Sequence, residues 1–296
     1  MLEWAQDCPA TEEGDVNIVL ASGFLFPQRI LGINYFRGVQ AELEKQGHQV
    51  LPPIVAPLAG LEARAERLAQ QINDKFQKGP VHIIAHSMGG LDCRVMIGGN
   101  KQGLAEKGRI LSLTTLSTPH RGSPVADLLA GTDSDDVRHK FFDALHAIRV
   151  DIDALEDLTS EVDATVPDVA NDPQFDHIKY YSYAASGRTG SRRTAVLLLP
   201  TYFYVRNIDK PQYADKPPRD NDSVVSVASA KYGKPMGTWD CDHLQMVGWN
   251  LDTLLLFGKI KQLLGAVGLA ASEFDHLARF REIVSELQRV EDQQAA

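Results

Sequence analysis

No stretch of this chain stays apolar over the roughly 20 residues that a membrane-spanning helix needs. Clusters of lysine and arginine are also missing, and the net charge is −9. Binding to phosphate backbones requires a basic footprint, so nucleic acid is not an expected partner. Cysteine is scarce: Cys8, Cys93 and Cys241, with no Cys-x-x-Cys spacing. An odd, sparse set builds neither a zinc site nor a disulfide framework. It suits unpaired structural thiols in a reduced compartment, or at most one disulfide. Internal repeats and low-complexity tracts are lacking too. The opening stretch "MLEWAQDCPATEEGD" is acidic and has no apolar run, so it does not read as a secretory signal. The expected location is the cytoplasm or a leaderless state, or outside the cell if a signal peptide has been removed.

What is present is an alternation. "VNIVLASGF" (16–24), "HQVLPPIV", "VHIIAHS", "RILSLTTLST" (109–118) and "IKYYSYAASG" (178–187) read as strands rich in β-formers. Between them lie helical patterns. "NYFRGVQAELEKQG" (34–47) has Asn34 as its N-cap candidate and Gly47 as its stop. Over 61–79, Leu61, Ala65, Leu68, Ile72 and Phe76 share one helical face. Strands alternating with amphipathic helices imply an α/β fold with a mostly parallel central sheet and right-handed crossovers. The chain, 296 residues long, is expected to form one domain. The acidic, strand-free stretch over 124–175 reads as a helical insertion between two sheet strands. A docking helix is expected within 268–296, its apolar face made by Phe274, Leu277, Phe280, Val284 and Leu287.

The stretch that carries chemistry is "VHIIAHSMGGLD" (81–92). It reads as a strand, a tight turn with Ser87 at its tip, and a helix. A serine hydroxyl is a weak nucleophile at neutral pH. It needs a histidine to take its proton, a carboxylate to orient that histidine, and amides to hold the oxyanion. A sharp turn also needs small residues two before and two after the serine; here these are Ala85 and Gly89. The helix that follows points its N-terminal amides at developing negative charge. In this kind of turn the partners follow in the order Ser, Asp or Glu, His. Elimination among the downstream histidines selects His243 as base. His86 is expected to point the other way, and His120 to be structural or pocket-lining. Asp240 and Asp242 lie too near His243 in sequence to orient its ring from the far side. Asp222, in an Asn-Asp-Ser turn, is the candidate acid, with Asp220 as the alternative. The oxyanion amides would be those of Met88 and Phe24, the latter on the loop "ASGFLFP". Leu25, Phe26, Leu128 and Leu129 are expected to offer apolar surface to an acyl chain.

In series, "SGF", "AHSMGGLDCR", "LSTPHRGSPVADLL", "YYSYAASG", "NDSVVSVASAKYG" and "DHLQMVGWN" resemble the true bacterial lipases of the α/β-hydrolase superfamily. The likeness is to the Pseudomonas and Burkholderia type, with "AHSMGG" similar to the small Bacillus lipases. It spans Val16 to Asn250. It implies an α/β-hydrolase fold, a triad of Ser87, Asp222 and His243, the amides of Phe24 and Met88 as oxyanion hole, and a lid over 124–175. The chain also departs from that pattern. Ser22 precedes Gly23 where the family usually has His. Gln245 stands where the larger members place a calcium-binding Asp, so no metal and no cofactor is expected. The segment "VVSVASAKYG" lacks the cysteine of the extracellular members' disulfide. The expected activity is acyl-ester hydrolysis through an acyl-enzyme, on an ester or lipid substrate met at a lipid interface without stable membrane insertion. Polyester depolymerase, phospholipase and acyltransferase are alternatives using the same triad; a hydrolase-like binding protein is the non-enzymatic one.

Overall fold

The computed structural model describes residues 15–23, 29–30, 33–56, 59–77, 79–129, 165–187, 194–210, 213, 215–250 and 274–295. Six strands form one parallel sheet in the order β4-β1-β5-β6-β7-β8. They are β1 (Asn17–Ala21), β4 (Gln49–Leu51), β5 (Val81–His86), β6 (Ile110–Leu116), β7 (Lys179–Ala185) and β8 (Lys234–Trp239). A separate antiparallel pair, β2 (Arg29–Ile30) and β3 (Ile33–Asn34), precedes the first helix.

Helices cover both faces of the sheet, which is why the inner strands read as nearly continuous apolar runs. Alternate residues of β1 serve the two faces. Val19 and Ala21 join the core beneath α2 (Leu61–Phe76) and α3 (Gly89–Gly98). Ile18 and Leu20 join the core beneath α1 (Val39–Glu44) and α6 (His276–Ala295). The predicted face of α2 is all buried. On α6, Phe280, Val284 and Leu287 are buried, and Phe274 and Leu277 pack against the same cluster. Two more helices, α4 (Pro124–Leu129) and α5 (Leu199–Asn207), complete the set among the described residues.

The sheet grows in two directions from β1. The chain passes through α1 to β4 on one side, then through α2 to β5 on the other. Neighbouring β1 and β5 therefore send their continuations to opposite faces, and their carboxyl ends flank a crevice. In open α/β sheets ligands bind at such a switch point.

Some sequence expectations shift. Helix α1 begins at Val39, with Gly38 as its N-cap, so Asn34 is not the cap. It closes the β2–β3 pair instead, and its side-chain amide donates to Gln40 Oε1 at 3.0 Å. Cys93 and Cys241 are buried free thiols, and Cys8 lies outside the described residues. Most of the insertion expected over 124–175 also lies outside them; α4 and residues 165–175 are its described flanks.

Candidate active site

Strand β5 ends at His86, and the chain reverses at once into α3. Ser87, between them, has φ 56°. A left-handed backbone at a non-glycine residue costs on the order of 1–2 kcal/mol, so its neighbours must hold it there. The Ser87 amide donates to the Leu116 carbonyl at 2.9 Å, and the Thr118 hydroxyl donates to the Ser87 carbonyl at 2.8 Å. Both groups lie at the end of β6, the adjoining strand. Gly89 shows why a small residue is needed two positions on. A Cβ there would sit 2.6 Å from the Ala21 carbonyl oxygen and 2.8 Å from that of Ser22. The Ala85 methyl is fully buried in the core on the α2–α3 side, so this face has room for an alanine.

Residues far apart in sequence meet at Ser87. His243 Nε2 lies 3.0 Å from Ser87 Oγ, and His243 Nδ1 lies 2.7 Å from Asp222 Oδ2. A carboxylate only accepts, so Nδ1 carries the proton and Nε2 presents a lone pair to the serine hydroxyl. Asp222 is fully buried, and its other oxygen accepts from the amides of Val224 (2.9 Å) and Val225 (2.7 Å). The His243 amide donates to the Asp222 carbonyl at 2.9 Å, so backbone and side chain both tie the acid to the base. Asp220, the alternative acid, points outward with its side chain 75% exposed and pairs with Arg206 at 3.7 Å.

The other expected residues fall into place or outside the described chain. Asp242 does not meet the ring. Its carboxylate accepts from the amides of Ala195, Leu244 and Gln245 and so closes the turn that carries His243. Burial nonetheless pushes its carboxyl up to about 7. The Gln245 side chain accepts from the Asp242 amide at 3.1 Å, so it acts within the same turn. Elimination alone does not select His243, because His276 also lies downstream. His276 sits at the start of α6 and donates through Nε2 to the Arg37 carbonyl at 2.7 Å, so position and bonding rule it out. His120 is structural, stacked on Tyr232 with ring centroids 4.3 Å apart. Burial holds it neutral, and the nearby Arg94 adds to the effect. His86 differs from expectation: its ring lies 4.5 Å from that of His243 instead of pointing away. Met88 caps α3 and is buried, its amide at the helix N-terminus. Phe24, Leu25 and Phe26 lie outside the described residues, as does the side chain of Leu129. Leu128 is buried on α4.

Three buried arginines, Arg64, Arg94 and Arg219, were not anticipated from the sequence, and the first two brace the site. Arg64 on α2 donates to both carboxylate oxygens of Asp92 on α3, at 2.8–3.0 Å. The same guanidinium reaches the carbonyls of Ser22 (3.1 Å), Gly23 (3.3 Å) and Ala56 (2.9 Å). It thus pins the end of β1 to the helix that starts behind Ser87. Arg94 on α3 donates to the carbonyls of Val166 (3.1 Å) and Pro167 (3.0 Å), anchoring the far flank of the insertion. Replacing Arg64 by methionine strands the buried Asp92 charge. The expected cost is about 3–5 kcal/mol in urea unfolding, and pairing the change with Asp92→Leu should recover much of it. A cost below about 1 kcal/mol for the single variant would contradict this account.

Comparisons with known proteins agree with the architecture. Residues 56–129 match the family described as "Putative serine esterase (DUF676)". A triacylglycerol lipase of Saccharomyces cerevisiae is 32% identical over 232 residues, covering 75% of this chain and 64% of that protein. The chain thus spans a little under two thirds of that relative. Among solved structures, a Staphylococcus hyicus lipase superposes with TM-score 0.65 at 17% identity, covering 99% of this chain and 100% of that one. The mature Bacillus licheniformis lipase BlEst2 superposes with TM-score 0.62 at 19% identity, covering 86% and 95%. At such identities the likeness establishes the fold, which is the α/β-hydrolase fold.

Proposed function

We propose that this chain is a serine carboxylester hydrolase, a lipase or esterase, and that Ser87, His243 and Asp222 are its catalytic triad. The observation that carries this reading is the unbroken line Ser87 Oγ, His243, Asp222 at the carboxyl edge of the sheet. Ser87 Oγ attacks the ester carbonyl carbon as its proton passes to His243 Nε2. The carbonyl oxygen becomes an oxyanion, held in this reading by the Met88 amide at the positive end of α3 and by the amide of Phe24. Collapse expels the alkoxide, which takes the proton from the His243 imidazolium and leaves as alcohol. Water, deprotonated by the same Nε2, then attacks the acyl-Ser87 ester, and the carboxylic acid departs. Asp222 holds the ring in the required tautomer and stabilises the imidazolium formed in each half-reaction.

We also assign the chain to the neighbourhood of the Pseudomonas and Burkholderia lipases, on the order of its motifs from "SGF" to "DHLQMVGWN". The insertion over 124–175 is its lid region in this reading, with α4 and the Arg94-bound stretch as the two attachments. Similarity to triacylglycerol lipases favours triacylglycerols among the acyl esters as substrates.

The test is a p-nitrophenyl ester series from acetyl to palmitoyl, run beside emulsified triglyceride, phospholipid vesicles and a polyester film. Turnover of acyl esters and covalent labelling by a fluorophosphonate are expected, with activity on emulsified triglyceride marking a lipase. No turnover of any ester together with no label would overturn the reading.

A further inference from the structure

His86 precedes the nucleophile and is wholly buried, and none of the reaction steps uses it. Its two ring nitrogens are both engaged. Nε2 faces the His243 carbonyl at 3.0 Å, and Nδ1 faces the Tyr35 hydroxyl at 2.7 Å. A carbonyl can only accept, so Nε2 bears the hydrogen. Nδ1 is then bare and takes the tyrosine proton. The Tyr35 oxygen also packs against Gly23 at the end of β1. A chain of donors therefore runs in one direction, from the Tyr35 hydroxyl through His86 to the His243 carbonyl. The His243 amide continues it to the Asp222 carbonyl.

Gly23 is crowded as well as bonded. A Cβ there would lie 2.7 Å from Ser87 Cβ and 2.9 Å from the Tyr35 oxygen. Its carbonyl is held from the other side by Arg64. Arg64 and Tyr35 thus hold Gly23 between them at the end of β1. At the far end of the relay, His243 has both its amide and its carbonyl bonded, so its backbone cannot turn without breaking one of them.

We propose that Tyr35 and His86 are positioning residues that lock the end of β1 to the backbone of His243, holding the oxyanion side and the general base in one register around Ser87. This rests on the reading of Ser87 and His243 as nucleophile and base. The direction of the relay also suits the chemistry. His243 becomes cationic during each half-reaction, and a second charge 4.5 Å away would oppose it. Burial first, then the proximity of His243, keeps His86 neutral.

The test uses Tyr35→Phe, His86→Gln and His86→Leu in the full chain, with Ser87→Ala as reference. Phenylalanine keeps the shape of Tyr35 and removes the shared hydroxyl. Glutamine keeps an N–H for the His243 carbonyl, and leucine does not. On a soluble short-chain ester we expect Tyr35→Phe and His86→Leu to lower kcat about 10–100-fold, the scale of a misplacement near 1 Å, with KM within about twofold. His86→Gln should retain several times the kcat of His86→Leu. Affinity for an alkylboronic acid, which forms a tetrahedral adduct on the nucleophile, should fall in parallel with kcat. Should His86→Leu fail to fold, Tyr35→Phe and His86→Gln decide the matter. Wild-type kcat and boronate affinity in a folded Tyr35→Phe, beside an inactive Ser87→Ala, would overturn the relay and leave the active site standing. Turnover by Ser87→Ala would instead overturn the site reading itself.

Discussion

Ser87→Ala is expected to lower kcat for any cleavable ester by about 10⁴–10⁶-fold, the range seen when the nucleophile of a Ser-His-Asp unit is removed. The fold should be untouched. The bonds that hold the strained turn use the Ser87 amide and carbonyl, which alanine retains. Alanine has the same Cβ, so the left-handed backbone at φ 56° is no more costly for it than for serine. The only partner lost is Oγ, and His243 Nε2 then faces the position where water can enter. Thermal midpoint and circular dichroism should match the wild type while p-nitrophenyl butyrate turnover and fluorophosphonate labelling vanish. A folded variant that keeps more than about a tenth of wild-type turnover would show that another nucleophile does the work.

How much of this was legible in the sequence depends on what each residue's neighbours are. Strand β5 is buried on both faces, and Val81, Ile83, Ile84 and Ala85 mark it as a strand despite its two histidines. The stripe on α2 survives because one helical face meets the sheet. Strand β8, "KPMGTW", escapes the same reading. It is an edge strand, mostly exposed, with a proline and a glycine inside it, so no apolar alternation marks it. The apolar run "VVSV" after Asp222 does not extend into a strand. Its amides are taken by the Asp222 carboxylate, and Ser223 sits at φ 85°, so the chain turns where β-formers suggest extension.

The Ser87 turn was readable because it imposes local size limits. The histidine that meets Ser87 was less so, since chain order left both His243 and His276, and only packing separates them. The buried partners were not readable at all. Arg64 looks like any charged residue on an amphipathic helix; only in the fold do Asp92 and three carbonyls surround it. His86 misled because alternation along a strand says which face a residue takes. It does not say that the loop carrying His243 folds over that same face.

Asp222 and Asp220 stand two residues apart, and their asparagine variants should behave in opposite ways. Asp222 uses both oxygens inside the protein: one accepts two backbone amides, the other the His243 Nδ1 proton. In Asp222→Asn the carbonyl oxygen can stay with the amides, because amide hydrogens would repel them. The new NH2 group then faces His243 Nδ1, which must give up its proton and accept. The imidazole shifts to the Nε2–H form, and Nε2 can no longer take the proton of Ser87. A loss of about 10³–10⁴-fold in kcat is expected, with little change in KM, since the geometry survives and the tautomer does not. Asp220 has its side chain in solvent, and its pairing with Arg206 at 3.7 Å is the kind of surface contact worth about 0–1 kcal/mol. Its backbone carbonyl, which accepts from the Val227 amide at 2.8 Å, is unaffected by the substitution. Asp220→Asn should therefore keep kcat within about twofold of wild type. Steady-state kinetics on one soluble ester, with both proteins at matched folded fractions, separates the two. A crippled Asp220→Asn beside an active Asp222→Asn would move the acid two residues upstream and break the line from Ser87 Oγ to Asp222.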